Sequence, residues 1–150
     1  MEVYNKTYRE DGLEVIKKFK PGDIVPECDV YAYCQRVHRG GKSEDFVDGD
    51  LGERIENNEQ YHFIEAKLSV VKKLFDHHEF DVDEDFVKKL SKDKKEKLPP
   101  IILDMDNGSI IDGTHKLQAA ILRKEKTIDI LLGGSLENIE DFKRLNNKEL

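Results

Sequence analysis

The residues with the clearest chemical potential are the five consecutive residues 112–116, which read Asp-Gly-Thr-His-Lys. Where such a segment joins a strand to a helix, the first N–H groups of the helix lack intrahelical partners and carry partial positive charge. Glycine lets a ligand approach this backbone closely. The segment, hereafter the DGTHK turn, therefore fits an anion site suited to nucleotide phosphates.

Each side chain of the DGTHK turn has a role in such a site. Thr114 adds a hydroxyl, His115 an imidazole and Lys116 a cation beside the backbone of Gly113. Asp112 either caps the helix or holds a Mg²⁺ ion that bridges the phosphates. The same residue types also fit a plain strand-to-helix turn with an aspartate cap, so both interpretations stay open at this point.

The elements that would position the turn follow from the hydrophobic pattern. Apolar runs over 101–104 and 109–111 flank Asp106-Asn107-Gly108, whose residue types tolerate positive φ and favour a hairpin-type turn. Apolar residues then recur at helical spacing from Thr114 to Lys124, and Thr127–Leu132 is predicted as a strand. The DGTHK turn is thus predicted to lie inside a βαβ-like unit, after a strand and before a helix.

Further elements are predicted on both sides of this unit. Tyr61–Leu68 alternates as a strand, and Val30–Val37 fits a strand or a helical turn. Helices are predicted over Asp11–Lys20, Asp83–Leu90 and Ser135–Leu145. The last of these would bury Leu136, Ile139 and Phe142. The predicted fold class is α/β (α+β), with a small mixed sheet and flanking helices.

The length of 150 residues suits one domain with a modest core. We expect residues 1–60 to form an N-terminal extension that is irregular or partly helical. Residues 61–150 would form the nucleotide-binding domain, and the two parts would pack as a single compact unit.

Composition disfavours several classes of protein. The chain is 38% charged with a net charge of −7, so it repels duplex DNA at long range and a nucleic-acid partner is not expected. The basic run Lys88–Lys97 is typical of a solvated helix end. Because no apolar run resembles a signal peptide or a membrane span, we expect a soluble cytoplasmic protein without a membrane partner. The lysine- and asparagine-rich composition is typical of AT-rich genomes such as those of phages, which would place the protein in the host cytoplasm.

Three residue groups resemble metal sites without completing one. Cys28, Cys34 and His38 lack the paired spacing and fourth ligand of a structural zinc site, so buried free thiols are predicted. The segment Asp104–Asp112 resembles the start of an EF-hand loop, but its glycine falls one place early and the bidentate glutamate is missing. The histidines and aspartates of His77–Asp83 remain an alternative metal site.

From Pro99 to Leu132 the chain reads Pro-Pro-Ile-Ile-Leu-Asp, then Ile-Ile-Asp-Gly-Thr-His-Lys-Leu-Gln-Ala-Ala, then Ile-Asp-Ile-Leu-Leu. This order resembles the ParB/sulfiredoxin-like superfamily, with its ParB-like N-terminal domains and its free serine kinase-like branch. The resemblance extends more weakly back to Tyr61. It implies a ParB/sulfiredoxin-like fold in which Asp112, Gly113, Thr114, His115 and Lys116 bind ATP or another nucleotide together with Mg²⁺.

Some residues of this chain differ from the family's pattern, and these differences limit which activity the resemblance implies. The family usually has arginine at Lys116, and lysine keeps the charge but loses the bidentate fork. Sulfiredoxins place their catalytic cysteine where Thr114 stands, so a sulfiredoxin reaction is not expected. The serine-kinase-like branch has an upstream Pro-His-Glu segment whose glutamate is a proposed general base. His78-Glu79 matches it, with His77 in place of the proline. The resemblance therefore implies Glu79, Asp112 and His115 as catalytic residues.

Three functions follow as alternatives. The leading one is a kinase-type phosphotransferase or a nucleotide hydrolase that acts on a small hydroxyl acceptor or water. The second is a non-catalytic binding or regulatory module that binds a protein partner through residues 1–60. The third is a ParB-like nuclease or DNA-binding protein, supported by Lys88–Lys97 alone. About eighteen residues follow Leu132, too few for the helix-turn-helix module of partition proteins, so a partition clamp is not expected.

Overall fold

The structure is a computed structural model that describes residues 13–37, 49–75, 84–92 and 97–148. Glu79 and the alternative metal site at His77–Asp83 lie outside the described residues, as does His38. The predictions that concern them therefore stay predictions. No helix among the described residues is long and apolar enough to cross a membrane.

Strands and helices follow one another along the described chain, singly or in pairs of one kind. In chain order they are β1 (Ile24–Pro26), α1 (Glu27–Val37), α2 (Gly49–Glu56), β2 (Gln60–Lys67), α3 (Leu68–Leu74), α4 (Glu84–Lys92), β3 (Ile101–Asp104), β4 (Ser109–Asp112), α5 (Thr114–Arg123), β5 (Thr127–Gly133) and α6 (Leu136–Lys148). A short helical turn at residues 13–16 precedes β1.

The strands form one five-stranded mixed sheet in the order β1-β2-β5-β3-β4. Only the β3–β5 pair is parallel, with Ile101 opposite Ile130, and the other pairs are antiparallel. The prediction of an α/β fold with a small mixed sheet and flanking helices is confirmed. Within the βαβ-like unit, β3 lies between β4 and β5, so the strand before α5 and the strand after it are not neighbours.

The two faces of the sheet bury two different sets of apolar residues, because successive side chains of a strand point to opposite faces. On one face Ile128, Ile130 and Leu132 of β5 pack with residues of α3, α5 and α6. On the other face Leu131 packs with residues that include Val25, Val30, Tyr33, Cys34 and Ile55. The segment before residue 61 thus supplies an edge strand and much of one core; the boundary at residue 60 stays a prediction.

Of the two alternatives left open for Val30–Val37, the segment adopts the helical one and belongs to α1. Two other local predictions meet a different outcome. Leu136 is 70% exposed, because it is the first residue of α6 and the buried face of that helix begins one turn later with Ile139. Neither cysteine forms a disulfide, but only Cys34 is buried, and Cys28 lies exposed in the first turn of α1.

Both edge strands of the sheet are short. β1 spans three residues and ends in Pro26. β4 spans four residues, and the Arg54 guanidinium of α2 donates to the Ile110 carbonyl at 3.0 Å and to Ser109 Oγ at 3.3 Å. The pairing of β3 with β4 also shifts register between Ile102 and Leu103. The DGTHK turn therefore follows a short edge strand that is tied to α2.

Candidate active site at the DGTHK turn

The DGTHK turn joins the end of β4 at Asp112 to the start of α5 at Thr114, as predicted. Gly113 is the N-cap residue of α5 and has a φ of 117°, in the left-handed region that favours glycine. A Cβ atom at this position would lie 2.5 Å from Ile101 Cγ2 and 2.7 Å from Ile101 Cβ. Glycine is therefore required here by backbone conformation and by packing on β3, independently of any ligand.

The N-cap residue of α5 is glycine, so it has no side chain that could accept hydrogen bonds from the first N–H groups of the helix. The first intrahelical bond runs from the Leu117 N–H to the Gly113 carbonyl at 2.9 Å. The N–H groups of the preceding three residues have no acceptor within the helix. Thr114, His115 and Lys116 are all partly exposed, so the first turn of α5 combines these donors with a hydroxyl, an imidazole and a cation.

The ammonium group of Lys116 lies against α1. Its Nζ donates to the Tyr33 hydroxyl at 3.1 Å and to the Pro100 carbonyl at 3.4 Å, and it lies 5.2 Å from the centroid of the Tyr33 ring. The Tyr33 hydroxyl in turn donates to the same Pro100 carbonyl. The cation predicted to meet phosphate is thus held in a hydrogen-bonded group with a buried tyrosine.

Asp112, at the other end of the turn, also contacts α1. The buried Cys34 thiol lies 3.6 Å from Asp112 Oδ2 and donates to it, a weak hydrogen bond because a thiol is a poor donor. Within the described residues no three His, Cys, Asp or Glu side chains cluster closely enough to hold a metal ion. Mg²⁺ commonly takes one or two carboxylates and completes its shell with phosphate and water, and Asp112 alone can supply such a carboxylate.

The carboxylates of the EF-hand-like segment are used as acceptors of internal hydrogen bonds. Asp104 Oδ1 accepts from the Asp106 N–H at 3.0 Å and the Asn107 N–H at 3.4 Å, and its Oδ2 accepts from Asn107 Nδ2 at 2.6 Å. Asp106 Oδ1 accepts from the Ser135 N–H at 2.8 Å and from Asn138 Nδ2 at 2.7 Å. These bonds assign the two aspartates to stabilising the turn after β3 and the start of α6.

A cleft of about 340 Å³ lies between α4 and α5. It is lined by Glu84, Val87 and Lys88 of α4 and by Gln118 and Leu122 of α5. Gln118 follows Thr114 by four residues and Leu122 follows by eight, so all three lie along one face of the helix. The cleft therefore lies along the face of α5 that also carries Thr114, with an apolar part and polar groups on both walls.

A smaller cleft of about 250 Å³ lies at the opposite end of α5, where it includes Arg123 and Asp129. Asp129 Oδ2 pairs with Lys97 Nζ at 2.9 Å, and its buried Oδ1 has no hydrogen-bond partner among the described residues. Arg123 is almost fully buried beside Glu125. Arg123 lies at the opposite end of α5 from Thr114, about two and a half helical turns away, so this cleft does not belong to the DGTHK turn.

The lysines of the basic run Lys88–Lys97 have different surroundings in the structure. Lys88, Lys89 and Lys92 are exposed on α4, while Lys97 pairs with Asp129. Lys94 and Lys95 lie outside the described residues. The three described lysines of α4 thus lie on an exposed helix face, as the sequence predicts, and Lys88 also lines the cleft between α4 and α5.

Sequence reasoning did not identify Tyr33, Cys34 or Pro100 as neighbours of the DGTHK turn. Tyr33 and Cys34 precede Lys116 and Asp112 by 83 and 78 positions, and no local pattern indicates a contact across that separation. For Tyr33 and Cys34, the sequence offered only the apolar and aromatic composition of Val30–Val37.

No protein-family model, curated protein or solved structure matches the chain.

Proposed function

We propose that the DGTHK turn binds nucleotide phosphates and that the protein is a nucleotide-dependent phosphotransferase or nucleotide hydrolase with a ParB/sulfiredoxin-like fold. One observation carries the proposal. Gly113 places the start of α5, without a capping side chain of its own, beside the partly exposed Thr114, His115 and Lys116. A helix start with these residue types attracts an anion through backbone N–H groups, the helix dipole and side-chain donors.

The cleft between α4 and α5 supports a nucleotide rather than free phosphate. A phosphate chain on the first turn of α5 would place a nucleoside along the face that carries Gln118 and Leu122. Leu122 and Val87 offer apolar contact for a base, and Gln118 and Glu84 offer polar groups that orient it.

The proposed chemistry is phosphoryl transfer to a hydroxyl group or to water. The acceptor oxygen forms a bond to the terminal phosphorus while the bond to the bridging oxygen breaks, and a nucleoside diphosphate leaves. Glu79 would take the acceptor proton as general base, and His115 would stabilise charge on the phosphoryl oxygens. Mg²⁺ held through Asp112 would neutralise phosphate charge when bound.

Thermal stability with ATP, ADP, CTP and GTP, each with and without Mg²⁺, tests nucleotide binding. A nucleotide that binds the folded state raises the melting temperature. We expect such a rise in the wild type and its loss in His115→Ala. His62→Ala is the matched control, because His62 lies on β2 outside the DGTHK turn. The absence of any shift in the wild type would contradict the proposal.

The catalytic part of the proposal is tested separately with Glu79→Gln. This variant should bind nucleotide as the wild type does and lose turnover, because glutamine keeps the size of glutamate but cannot accept the proton. Unchanged turnover would remove Glu79 from the mechanism.

A second candidate, the non-catalytic binding or regulatory module, is favoured by a different observation. Gly113 and Lys116 both have roles within the fold itself: Gly113 packs closely on Ile101, and Lys116 donates to Tyr33 and Pro100. In this case residues 1–60 would bind a protein partner. A stable partner complex in a pull-down, together with no nucleotide turnover, would support this candidate over the enzyme.

A further inference from the structure

Two consecutive residues of α1 contact the two ends of the DGTHK turn. The Cys34 thiol donates to Asp112 at 3.6 Å, and the Tyr33 hydroxyl accepts from Lys116 at 3.1 Å. Both α1 side chains are fully buried. Helix α1 is therefore packed directly against the turn, although it lies within the segment expected to be an extension.

The Tyr33 hydroxyl oxygen lies at the centre of a small hydrogen-bonded group. It accepts from Lys116 Nζ and donates to the Pro100 carbonyl, which also accepts from Lys116 Nζ at 3.4 Å. Pro100 precedes the first residue of β3, and Lys116 is the third residue of α5. The hydroxyl thus joins α1, β3 and α5 at one point.

We infer that Tyr33 is a positioning residue that holds the ammonium group of Lys116 at the DGTHK turn. A lysine side chain has many rotamers in solvent, and restricting them costs conformational entropy. The hydrogen bonds to Tyr33 and Pro100 restrict them within the fold, so an anion that binds the turn meets a cation already in place. The relevance to phosphate rests on the proposed function, whereas the restraint on Lys116 is independent of it.

The structure offers a closely matched control. Tyr61 is as fully buried as Tyr33, and its hydroxyl also donates to a backbone carbonyl, that of Ile55 at 2.7 Å. Burial raises the pKa of Tyr61 well above its ordinary value, so its hydroxyl stays protonated. Tyr33→Phe and Tyr61→Phe remove the same kind of bond from the same core, but only Tyr33→Phe removes a partner of Lys116.

The restraint is tested by acylation of Lys116 with an N-hydroxysuccinimide ester, followed at that residue by mass spectrometry. The partly exposed ammonium group should react about fivefold faster in Tyr33→Phe than in the wild type, because it loses one of its acceptors. Tyr61→Phe should react at the wild-type rate. Equal rates in all three proteins would overturn the inference.

The consequence for phosphate is tested with inorganic tripolyphosphate as the probe in calorimetric titration. Its Kd should rise about fivefold in Tyr33→Phe and stay within about twofold in Tyr61→Phe. In a Lys116→Met background, Tyr33→Phe should cause no further change, since the two residues act through one interaction. Lys116→Met removes the same interaction by changing the partly exposed residue instead of the buried one. It therefore tests the interaction even if Tyr33→Phe has a folding defect.

The two proposals fail in different ways. If the wild type binds neither tripolyphosphate nor nucleotide, the proposed function is wrong and the acylation rates alone decide the role of Tyr33. If the wild type binds tripolyphosphate but Tyr33→Phe and Tyr61→Phe have the same Kd, Tyr33 does not position Lys116 for phosphate and the inference is overturned.

Discussion

Two turns flank β4, and similar residue types have different roles in them. The turn before it, Met105–Gly108, follows Asp104 and contacts the start of α6 through Asp106. The DGTHK turn follows β4 and leads into α5. In the first turn, the carboxylates accept hydrogen bonds from backbone and side chains nearby, and Asp106 accepts the Ser135 N–H at the start of α6.

The comparison is sharpest at the two helix starts. The start of α6 already has an internal anion, because Asp106 accepts from the Ser135 N–H and from Asn138, and Ser135 Oγ accepts from the Asn138 N–H at 3.4 Å. At the start of α5 the N-cap residue is Gly113, which has no side chain to act as an acceptor. We propose that a phosphate supplies at this helix start the negative charge that a carboxylate supplies at the start of α6.

Of the substitutions that compare the two turns, Gly113→Ala is expected to lower the free energy of unfolding the most. The new Cβ would overlap Ile101 at 2.5 Å and place alanine at a φ of 117°, so we expect a loss of about 4 kcal/mol in the free energy of unfolding. Gly22→Ala is the control, because Gly22 has a φ of 102° but nothing within 4 Å of the new Cβ. It should lose only about 1 kcal/mol. Urea denaturation measures both, and equal losses would mean that the close approach to Ile101 is unimportant.

At the other turn, Asp104→Ala should cause the next largest loss. The carboxylate is buried and accepts three hydrogen bonds, so its removal should cost about 3 kcal/mol and leave backbone donors without an acceptor. Asn107→Ala, which removes only the side-chain bond to Asp104, should cost about 1 kcal/mol. If the two variants unfold at the same urea concentration, the turn is not organised around Asp104.

A smaller, pH-dependent effect is expected at the start of α6. The Ser135 N–H, and then the Asn138 side chain, hold the pKa of Asp106 below its ordinary value of 3.8. A lowered pKa in the folded state means that charged Asp106 stabilises the fold above that ordinary value, and the stabilisation is lost as the pH falls through the lower folded pKa.

Asp106→Ala should therefore be less stable than the wild type by about 1 kcal/mol near neutral pH, as for other helix-capping residues. Below the ordinary pKa of 3.8, the difference between the two proteins should shrink towards zero. Denaturation curves across this range measure it, and a difference that does not change with pH would show that the charge of Asp106 is irrelevant.

The smallest effect concerns His62, which lies near the start of β2. Burial, and then the positive charge of Lys143, lower the pKa of His62 from its ordinary value of 6.5. The neutral imidazole therefore contributes stability above pH 6.5, and this contribution is lost as the pH falls through the lower folded pKa. Lys143→Gln should raise the pKa of His62 in an NMR titration, whereas Lys148→Gln should leave it unchanged. A pKa that does not rise in Lys143→Gln would exclude Lys143 as a cause.

The sequence predicts the local part of the candidate site and not its surroundings. Asn107-Gly108 marks the hairpin and Asp112-Gly113 the entry to α5, because turn residues and hydrophobic periodicity are local signals. The position of β3 between β5 and β4, and the contact of Tyr33 with Lys116, depend on pairings between distant segments. Glu79 remains a prediction from the resemblance, since it lies outside the described residues.

The short edge strands have a consequence for how copies of this protein meet. An open strand edge is a template for pairing with another chain, which leads to aggregation. Pro26 removes a backbone donor from one edge, and Arg54 already occupies a carbonyl of the other. With three and four residues, each edge offers few sites for pairing, so both edges of the sheet resist growth into a larger assembly.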